Sequence, residues 1–157
     1  ELICHAAHAG WGLHVSCLRF FTVYGPRQRP AMAISRFIRG VIRGEPLPIY
    51  GDGSSTRDYT WVEDVVRGIL AAIANPRPFG IYNIGSGCPI RLDALVGLIA
   101  ETVGREALLE RHPVQMGDVP MTFARIERAQ DELAWSPRME LAEGIGITAD
   151  WIRKQLT

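Results

Sequence analysis

The 157-residue sequence predicts a single α/β domain, and three observations support this prediction. Segments with helical apolar spacing alternate with short β-branched or aromatic segments. Glycine, proline and small polar residues separate these segments, and no linker is long enough to divide the chain. A chain of this length also buries roughly 70% of its unfolded surface, so it can form a substantial core.

The first 30 residues predict the end of a helix followed by a buried strand. Residues 2–10 are mostly small or apolar, and Gly10 or Gly12 is expected to end the helix. Residues 15–23 are apolar on both faces, which is typical of a strand inside a parallel sheet. We expect the strands beside it to come from outside this chain.

Five helices and four strands are predicted in the rest of the chain. The helices cover residues 34–42, 62–73, 92–103, 128–133 and 142–156, and the strands cover 47–50, 57–61, 81–84 and 108–111. Gly44 and Gly104 end two of the helices. On the first of these helices, Arg36, Arg39 and Arg43 lie opposite the apolar face, where we expect them to be solvated.

Composition excludes several classes of protein. Seventeen basic and seventeen acidic residues give no net charge, so a large nucleic-acid or anionic-membrane surface is not predicted. No apolar stretch reaches the ~18 residues of a membrane span. The three cysteines have no Cys-x-x-Cys spacing, which favours a reducing cytoplasm over a disulfide framework. His5 and His8 lack a third metal ligand, so no metal site is predicted.

Complete cofactor motifs are also absent from the sequence. The Gly-x-Gly segments at 51–53 and 85–87 lack the third glycine and helix start of a dinucleotide site. There is no phosphate-binding Gly-Lys-Ser/Thr segment. No tyrosine is followed four residues later by lysine. We therefore expect catalysis to require residues outside this chain.

Two segments resemble a known family. They are LRFFTVYGPRQRP at residues 18–30 and GDGSSTRDYTWVEDV at residues 51–65. They are similar to the NAD-dependent epimerase/dehydratase family, the extended short-chain dehydrogenases. Within it they are most similar to UDP-glucuronate and UDP-glucose 4-epimerases, with the 4,6-dehydratases and decarboxylases close behind, and nothing in the sequence selects among them. The resemblance implies the C-terminal, substrate-binding half of that α/β fold. Residues 1–30 would then be the tail of the Rossmann half, just past the catalytic Tyr-x-x-x-Lys pair, and residues 31–157 a nucleotide-sugar-binding subdomain.

The resemblance implies NAD as cofactor and one wall of its pocket. Phe21, Thr22, Val23 and Tyr24 match the strand that passes the nicotinamide ring. The alternative is a strand that ends in an ordinary Gly-Pro turn.

Arg57 is the main candidate for substrate binding. A guanidinium group presents several donors that match diphosphate oxygens, and it stays charged near neutral pH. By resemblance, Arg57 binds the diphosphate of a nucleotide sugar. The alternative is a structural ion pair with Asp58, Glu63 or Asp64.

Other positions match the family's substrate contacts. Gln115 corresponds to a phosphate contact and Asp118 to a ribose contact, although Asp118 could equally be a turn residue after Gly117. Ile49 and Tyr50 match the strand beside the base, but could equally be apolar residues at the edge of the core. By the same resemblance, Arg29 is a substrate contact.

Three positions depart from the family pattern. Ala31 and Arg125 stand where the family has aspartate, which weakens the transfer of exact sugar contacts. Arg91 stands where serine or threonine would cap the next helix, at a cost of ~1 kcal/mol.

The resemblance implies half of an enzyme that oxidises and re-reduces C4 of a UDP- or dTDP-sugar, incomplete without a Rossmann half. The alternative is a truncated, non-catalytic, self-assembling module that binds a nucleotide weakly or not at all. An apolar patch would favour a homo-oligomer or a partner chain carrying the Rossmann half. That predicted patch consists of Leu2, Ile3, Val15, Leu18, Phe20 and Val23.

Overall fold

The computed structural model describes residues 1–156, which form six helices and eight short strands. The helices are α1 Leu2–Trp11, α2 Ala33–Arg43, α3 Val62–Ala74, α4 Leu92–Val103, α5 Glu127–Leu133 and α6 Leu141–Leu156. The strands are β1 Val15–Phe20, β2 Thr22–Tyr24, β3 Leu47–Tyr50, β4 Thr56–Arg57, β5 Tyr59–Trp61, β6 Phe79–Ile84, β7 Ile90–Arg91 and β8 Leu109–His112. Within this part of the chain, no helix is long and apolar enough to cross a membrane.

The strands pair in four two-stranded sheets. β1 pairs in parallel with β6, β2 with β5, and β3 with β8, whereas β4 and β7 are antiparallel. The expectation that the neighbours of residues 15–23 come only from outside the chain is therefore wrong. Both β5 and β6 lie within this sequence. Local apolar spacing predicts that a segment is a strand, but it does not predict with which strand that segment pairs.

Residues 15–23 form two strands where one was predicted. Val15 to Phe20 lie opposite Phe79 to Ile84 of β6. At Phe21 the backbone changes partner, because the Phe21 N–H donates to Ile84 and the Thr22 N–H donates to Asp58 of the β4–β5 link. This change of partner separates β1 from β2.

The predicted helix ends are confirmed for α2 and α4. Gly44 and Gly104 adopt left-handed backbone conformations, with φ of 70° and 76°, and their N–H groups bond to carbonyls of the last helical turns. A residue with a Cβ is strained in this region, which explains why glycine ends both helices.

The larger hydrophobic core lies between α2, α4, α6 and strands β3 and β5. Helix α2 buries Ile34, Phe37, Ile38 and Val41, the apolar face that the sequence predicted. The opposite face is not uniformly solvated, because Arg39 is half-buried and its buried Nε has no hydrogen-bond partner among residues 1–156.

A second, smaller core lies under α3 and α5. It contains Val65, Ala72, Tyr82, Ile84, Ala129, Leu133 and Trp135. Leu18 and Val23 pack against this core. The prediction that they belong to an exposed apolar patch is therefore wrong. Their partners come from β6, α3 and α5, far away in sequence. Leu2, Ile3 and Phe20 are exposed.

Asp64, at the start of α3, links this smaller core to the segment before α6. Its buried carboxylate accepts hydrogen bonds from the N–H groups of Arg138 (3.0 Å) and Met139 (3.1 Å), and pairs with Arg67. Its carbonyl accepts a hydrogen bond from Trp135 Nε1 at 2.9 Å. These bonds fix the position of α6 relative to α3.

Candidate functional site

A cavity of about 210 Å³ lies between the N-terminal half of α2 and strands β3 to β5. We call it the Arg57 cavity. Its lining residues are Ala31, Ala33, Arg36, Phe37, Pro48, Tyr50, Ser55, Arg57, Tyr59, Leu92 and Asp118. The charged groups among them are two arginines and one aspartate, so the lining carries a net positive charge. This favours an anionic ligand.

Arg57 and Asp118 meet at this cavity although they are 61 residues apart in sequence. Arg57 Nη2 donates to the Asp118 carboxylate, and Nη1 donates to the Thr56 carbonyl at 2.8 Å. Only 19% of the Arg57 side chain is exposed, against 43% for Asp118. The observed partner, Asp118, is not among the ion-pair partners considered from the sequence, which were Asp58, Glu63 and Asp64.

Asp58 fixes the backbone beside Arg57. Its fully buried carboxylate accepts hydrogen bonds from the Ser86 N–H (2.7 Å), the Ser86 Oγ (2.8 Å), the Gly87 N–H (3.0 Å) and the Ala124 N–H (3.1 Å). Asp58 therefore joins the β4–β5 link to two loops. The sequence analysis did not predict this role, because Asp58 lies among polar and charged residues and its partners come from loops remote in sequence.

Tyr50 and Ile49, predicted together as base contacts, lie on opposite sides of β3. Tyr50 lines the Arg57 cavity, and its ring centroid lies 5.3 Å from that of His112 on β8. Ile49 is buried in the larger core and lines a different cavity, of about 230 Å³. The alternation of side chains along a strand explains this separation.

Gln115 does not line the Arg57 cavity. It is exposed, and its carbonyl accepts a hydrogen bond from the Asp118 N–H at 3.2 Å. Gly117, with φ of 88°, completes this turn. The turn directs Asp118 toward Arg57. Asp118 is therefore a turn residue, and its contact with a ribose stays a prediction.

Arg36 and Pro48 line the Arg57 cavity without having been predicted as site residues. Arg36 is exposed and was expected on a solvated face of α2. The first turn of α2 brings it to the cavity because β3 returns alongside that turn. Only the tertiary packing of β3 on α2 could reveal this.

An open cleft of about 1160 Å³ lies on the other side of residues 29–33. It is lined by Arg19, Phe20, Phe21, Thr22, Val23, Tyr24, Gly25, Pro26, Arg27, Gln28, Arg29, Met32, Val62, Asn83 and Thr122. All four predicted cofactor-contacting residues, together with Arg29, lie along it. The lining contains three arginines and no carboxylate. Arg19 is paired with Glu1, so the positive charge that favours anionic groups comes from Arg27 and Arg29.

Tyr24 borders the cleft but its ring is in the larger core. It is 1% exposed and packs edge-on against Trp61, with ring centroids 5.5 Å apart. Burial raises the pKa of Tyr24 well above its usual range. Its hydroxyl has no hydrogen-bond partner among the described residues. The Tyr24 side chain therefore supports the cleft from beneath.

The cleft and the Arg57 cavity are neighbours. Arg29 and Met32 face the cleft, whereas Ala31 and Ala33 face the cavity. Thr122 of the cleft and Asp118 of the cavity lie on the same loop. One extended ligand could occupy both spaces by crossing residues 29–33.

The residues present fit only part of a dinucleotide. The N–H groups of Ser86 and Gly87, in one of the two Gly-x-Gly segments, already donate to Asp58 and cannot bind a pyrophosphate. Within residues 1–156, no group of three histidine, cysteine or carboxylate side chains could hold a metal ion. His5 and His8 instead pack against Phe79, with ring centroids 5.0 and 6.0 Å away.

Comparisons with known proteins agree with this architecture. A model of the NAD dependent epimerase/dehydratase family matches residues 1–85. The chain is 35% identical to UDP-glucuronate 4-epimerase of Thermodesulfobacterium geofontis over 157 residues, covering 99% of this chain and 48% of the relative. It is 36% identical to dTDP-glucose 4,6-dehydratase of Streptomyces griseus over 155 residues, covering 98% and 47%. The chain thus spans about half the length of these relatives.

Two solved structures have the same fold over nearly the whole chain. UDP-glucose 4-epimerase of Thermotoga maritima, crystallised with UDP-glucose, superposes with a TM-score of 0.94 at 32% identity, covering 99% of this chain and 51% of that one. UDP-glucuronic acid 4-epimerase of Bacillus cereus, crystallised with UDP-glucuronic acid and NAD, gives 0.92 at 34% identity, covering 100% and 50%.

The fold is that of the C-terminal half of the extended short-chain dehydrogenases, an α/β class. The chain belongs to the NAD dependent epimerase/dehydratase family. The resemblance drawn from residues 18–30 and 51–65 is therefore confirmed.

Proposed function

We propose that this chain is the substrate-binding half of an NAD-dependent nucleotide-sugar epimerase or dehydratase, and that the Arg57 cavity binds the nucleotide diphosphate. The main support is the meeting of Arg57 and Asp118 in a cavity that also contains Arg36 and Tyr50. Relatives with this fold bind UDP-glucose and UDP-glucuronic acid. The sugar would lie in the neighbouring cleft, beside Thr22 and Arg29.

The diphosphate would compete with Asp118 for Arg57. A diphosphate carries more charge than a carboxylate and offers several acceptor oxygens to the guanidinium donors. Binding would then release the Asp118 carboxylate to accept a hydrogen bond from a ribose hydroxyl. Gln115 would act through the backbone turn that positions Asp118.

Arg36 supplies the second positive charge. Arg57 is paired with Asp118, so Arg36 is the one other cation of the cavity lining. Arg36 would neutralise the diphosphate charge that Arg57 does not. Arg36 has a flexible, exposed side chain at the cavity edge, which suits a contact made only when the ligand is bound. Tyr50, half-buried beside His112, would pack against the base, and Ile49 would support β3 from the core side.

NAD would lie against the open cleft, where Phe21, Thr22, Val23 and the Tyr24 backbone form one wall. When bound, NAD supplies hydride transfer to and from the sugar carbon. The residues of this chain orient the sugar for that transfer by binding its diphosphate. The sequence has no Tyr-x-x-x-Lys pair, so a proton-transfer residue would come from another segment or chain.

A second candidate function is that of a self-assembling module. Leu2, Ile3 and Trp11 are 88%, 86% and 79% exposed, and α1 contains no buried residue. Such an apolar helix favours association with a second copy or with a chain carrying a Rossmann half. We expect light scattering at micromolar concentration to give at least the mass of a dimer; a compact monomer would contradict this proposal.

Calorimetric titration with UDP, UDP-glucose and NAD⁺ tests the proposed function. We expect UDP and UDP-glucose to bind, and Arg57→Gln to raise the Kd for UDP roughly 10-fold or more. Arg43→Gln is a matched control, because Arg43 is an exposed arginine of α2 that does not line the cavity. Failure of the unmodified chain to bind UDP would contradict diphosphate binding by this chain and leave assembly as the better proposal.

A further inference from the structure

The loop between β2 and α2, residues 25–32, borders both candidate ligand spaces. Arg29 and Met32 face the cleft, whereas Ala31 faces the Arg57 cavity. Arg27 also lines the cleft, and its backbone is left-handed, with φ of 66°. A residue with a Cβ is strained in this region, so other contacts must hold the loop in its conformation.

The Gln28 side chain joins the two ends of this loop. Its Nε2 donates to the Val23 carbonyl of β2 at 2.7 Å, and its Oε1 accepts from the Ser35 N–H of α2 at 3.0 Å. Both polar atoms of the carboxamide are therefore used. Their orientation is fixed, because a reversed amide would place donor against donor and acceptor against acceptor.

The bond to Ser35 caps a helix whose own N-cap residue provides no cap. Met32, the N-cap residue of α2, makes no side-chain hydrogen bond, and the Arg36 N–H bonds to the Met32 carbonyl at 2.8 Å. The N–H groups before Arg36 have no partner inside the helix. Ser35 is 1% exposed, so loss of the Gln28 oxygen would leave its N–H buried without an acceptor.

The bond to Val23 satisfies a strand that has one neighbour. Within residues 1–156, β2 pairs only with β5. The Gln28 amide thus supplies a donor to the Val23 carbonyl, as a second strand would do. The two bonds of Gln28 together fix the spacing between the end of β2 and the first turn of α2.

We propose that Gln28 is a positioning residue, which holds residues 25–32 so that Arg29 faces the cleft and Ala31 faces the Arg57 cavity, and thereby sets the affinity for a nucleotide sugar. The effect on affinity rests on the proposed function, whereas the effect on the loop does not. Gln28 itself borders the cleft, but its polar atoms are already paired. It therefore acts through its neighbours.

Gln28→Met tests the proposal with little change in packing, because methionine has a similar length and an unbranched side chain but cannot replace the amide donor. We expect the Kd for UDP-glucose to rise roughly 10-fold, as for the loss of one or two hydrogen bonds. Gln130→Met is the matched control, because Gln130 is an exposed residue of α5 that lines neither space. An unchanged Kd in Gln28→Met would overturn the effect on affinity.

A double-mutant cycle with Arg29→Gln separates positioning from a general loss of structure. If Gln28 acts by holding Arg29 at the cleft, Gln28→Met should have little further effect once Arg29 is replaced. We expect each single variant to raise the Kd for UDP-glucose roughly 10-fold, and the double variant to raise it less than about 30-fold. Independent effects that multiply to about 100-fold, or no effect of Arg29→Gln, would show that Gln28 does not act through Arg29.

Amide hydrogen exchange tests the loop without a ligand. The Ser35 amide should exchange roughly 10-fold faster in Gln28→Met, while the amides of α4 stay unchanged and Gln130→Met changes neither. Circular dichroism shows whether each variant is folded. Unchanged exchange at Ser35 would overturn the role of Gln28 in the loop. Failure of the unmodified chain to bind UDP-glucose would instead overturn the proposed function and the effect on affinity together.

Discussion

The Asp58 carboxylate accepts two hydrogen bonds from one residue, from the N–H of Ser86 at 2.7 Å and from its Oγ at 2.8 Å. This contact joins the β4–β5 link to the loop after β6. Because Arg57 immediately precedes Asp58, the same contact fixes the backbone that directs Arg57 into its cavity. A buried structural carboxylate that does not line the cavity thus positions the candidate binding residue.

Replacement of this carboxylate should destabilise the fold. In Asp58→Asn an NH2 group replaces one carboxylate oxygen, so either the Ser86 N–H and O–H or the Gly87 and Ala124 N–H groups lose their acceptor. We expect the free energy of unfolding to fall by about 3 kcal/mol or more, measured by urea denaturation. Asp52→Asn is the control, since its exposed carboxylate accepts only from Ser54 and the asparagine oxygen can replace it. A similar loss in both variants would contradict this role for Asp58.

Two glycine substitutions should have opposite effects. A Cβ at Gly85 would lie 2.1 Å from the Ala124 Cβ, and neither can move without its backbone. We expect Gly85→Ala to lower the free energy of unfolding by about 2 kcal/mol. Gly97→Ala, inside α4 with no atom within 4 Å of the new Cβ, should raise it by about 1 kcal/mol. Thermal denaturation distinguishes them, and the same sign for both would refute this packing argument.

Arg36 should contribute to the binding of UDP, which carries phosphate charge, and not to the binding of uridine, which carries none. We expect Arg36→Gln to raise the Kd for UDP roughly 5-fold and to leave the Kd for uridine unchanged. Arg43→Gln, on the same helix and 3.8 Å from Glu45, should change neither. Titration calorimetry at two salt concentrations measures this, and the effect should shrink in high salt. An equal loss for uridine would mean that Arg36 acts by supporting the cavity structure.

Tyr59 should make stability sensitive to alkaline pH. Burial raises the pKa of Tyr59 from 10.0 to about 12. Between these values the unfolded chain loses the phenol proton and the folded chain retains it, so the free energy of unfolding decreases as pH rises. The slope approaches about 1.4 kcal/mol per pH unit. Urea denaturation between pH 9 and 11 should show a shallower decrease for Tyr59→Phe, and equal slopes would contradict the burial effect.

Much of the secondary structure could be predicted because local interactions define it. The apolar spacing of Ile34, Phe37, Ile38 and Val41 predicted the buried face of α2, and Gly44 and Gly104 marked the ends of two helices. The family motifs identified Arg57 and Asp118 as separate candidates. They did not reveal that these two residues pair with each other, because that contact spans 61 positions.

By itself, the sequence determined the helices, their ends and the family, since backbone propensities, apolar periodicity and short motifs act over a few residues. Only the tertiary structure decided which strands pair, that Ile49 and Tyr50 face different cavities, and that Arg36 reaches the Arg57 cavity. Each of these depends on packing between segments remote in sequence. The free energy of such packing comes from burying surfaces together, and local patterns do not specify which surfaces meet.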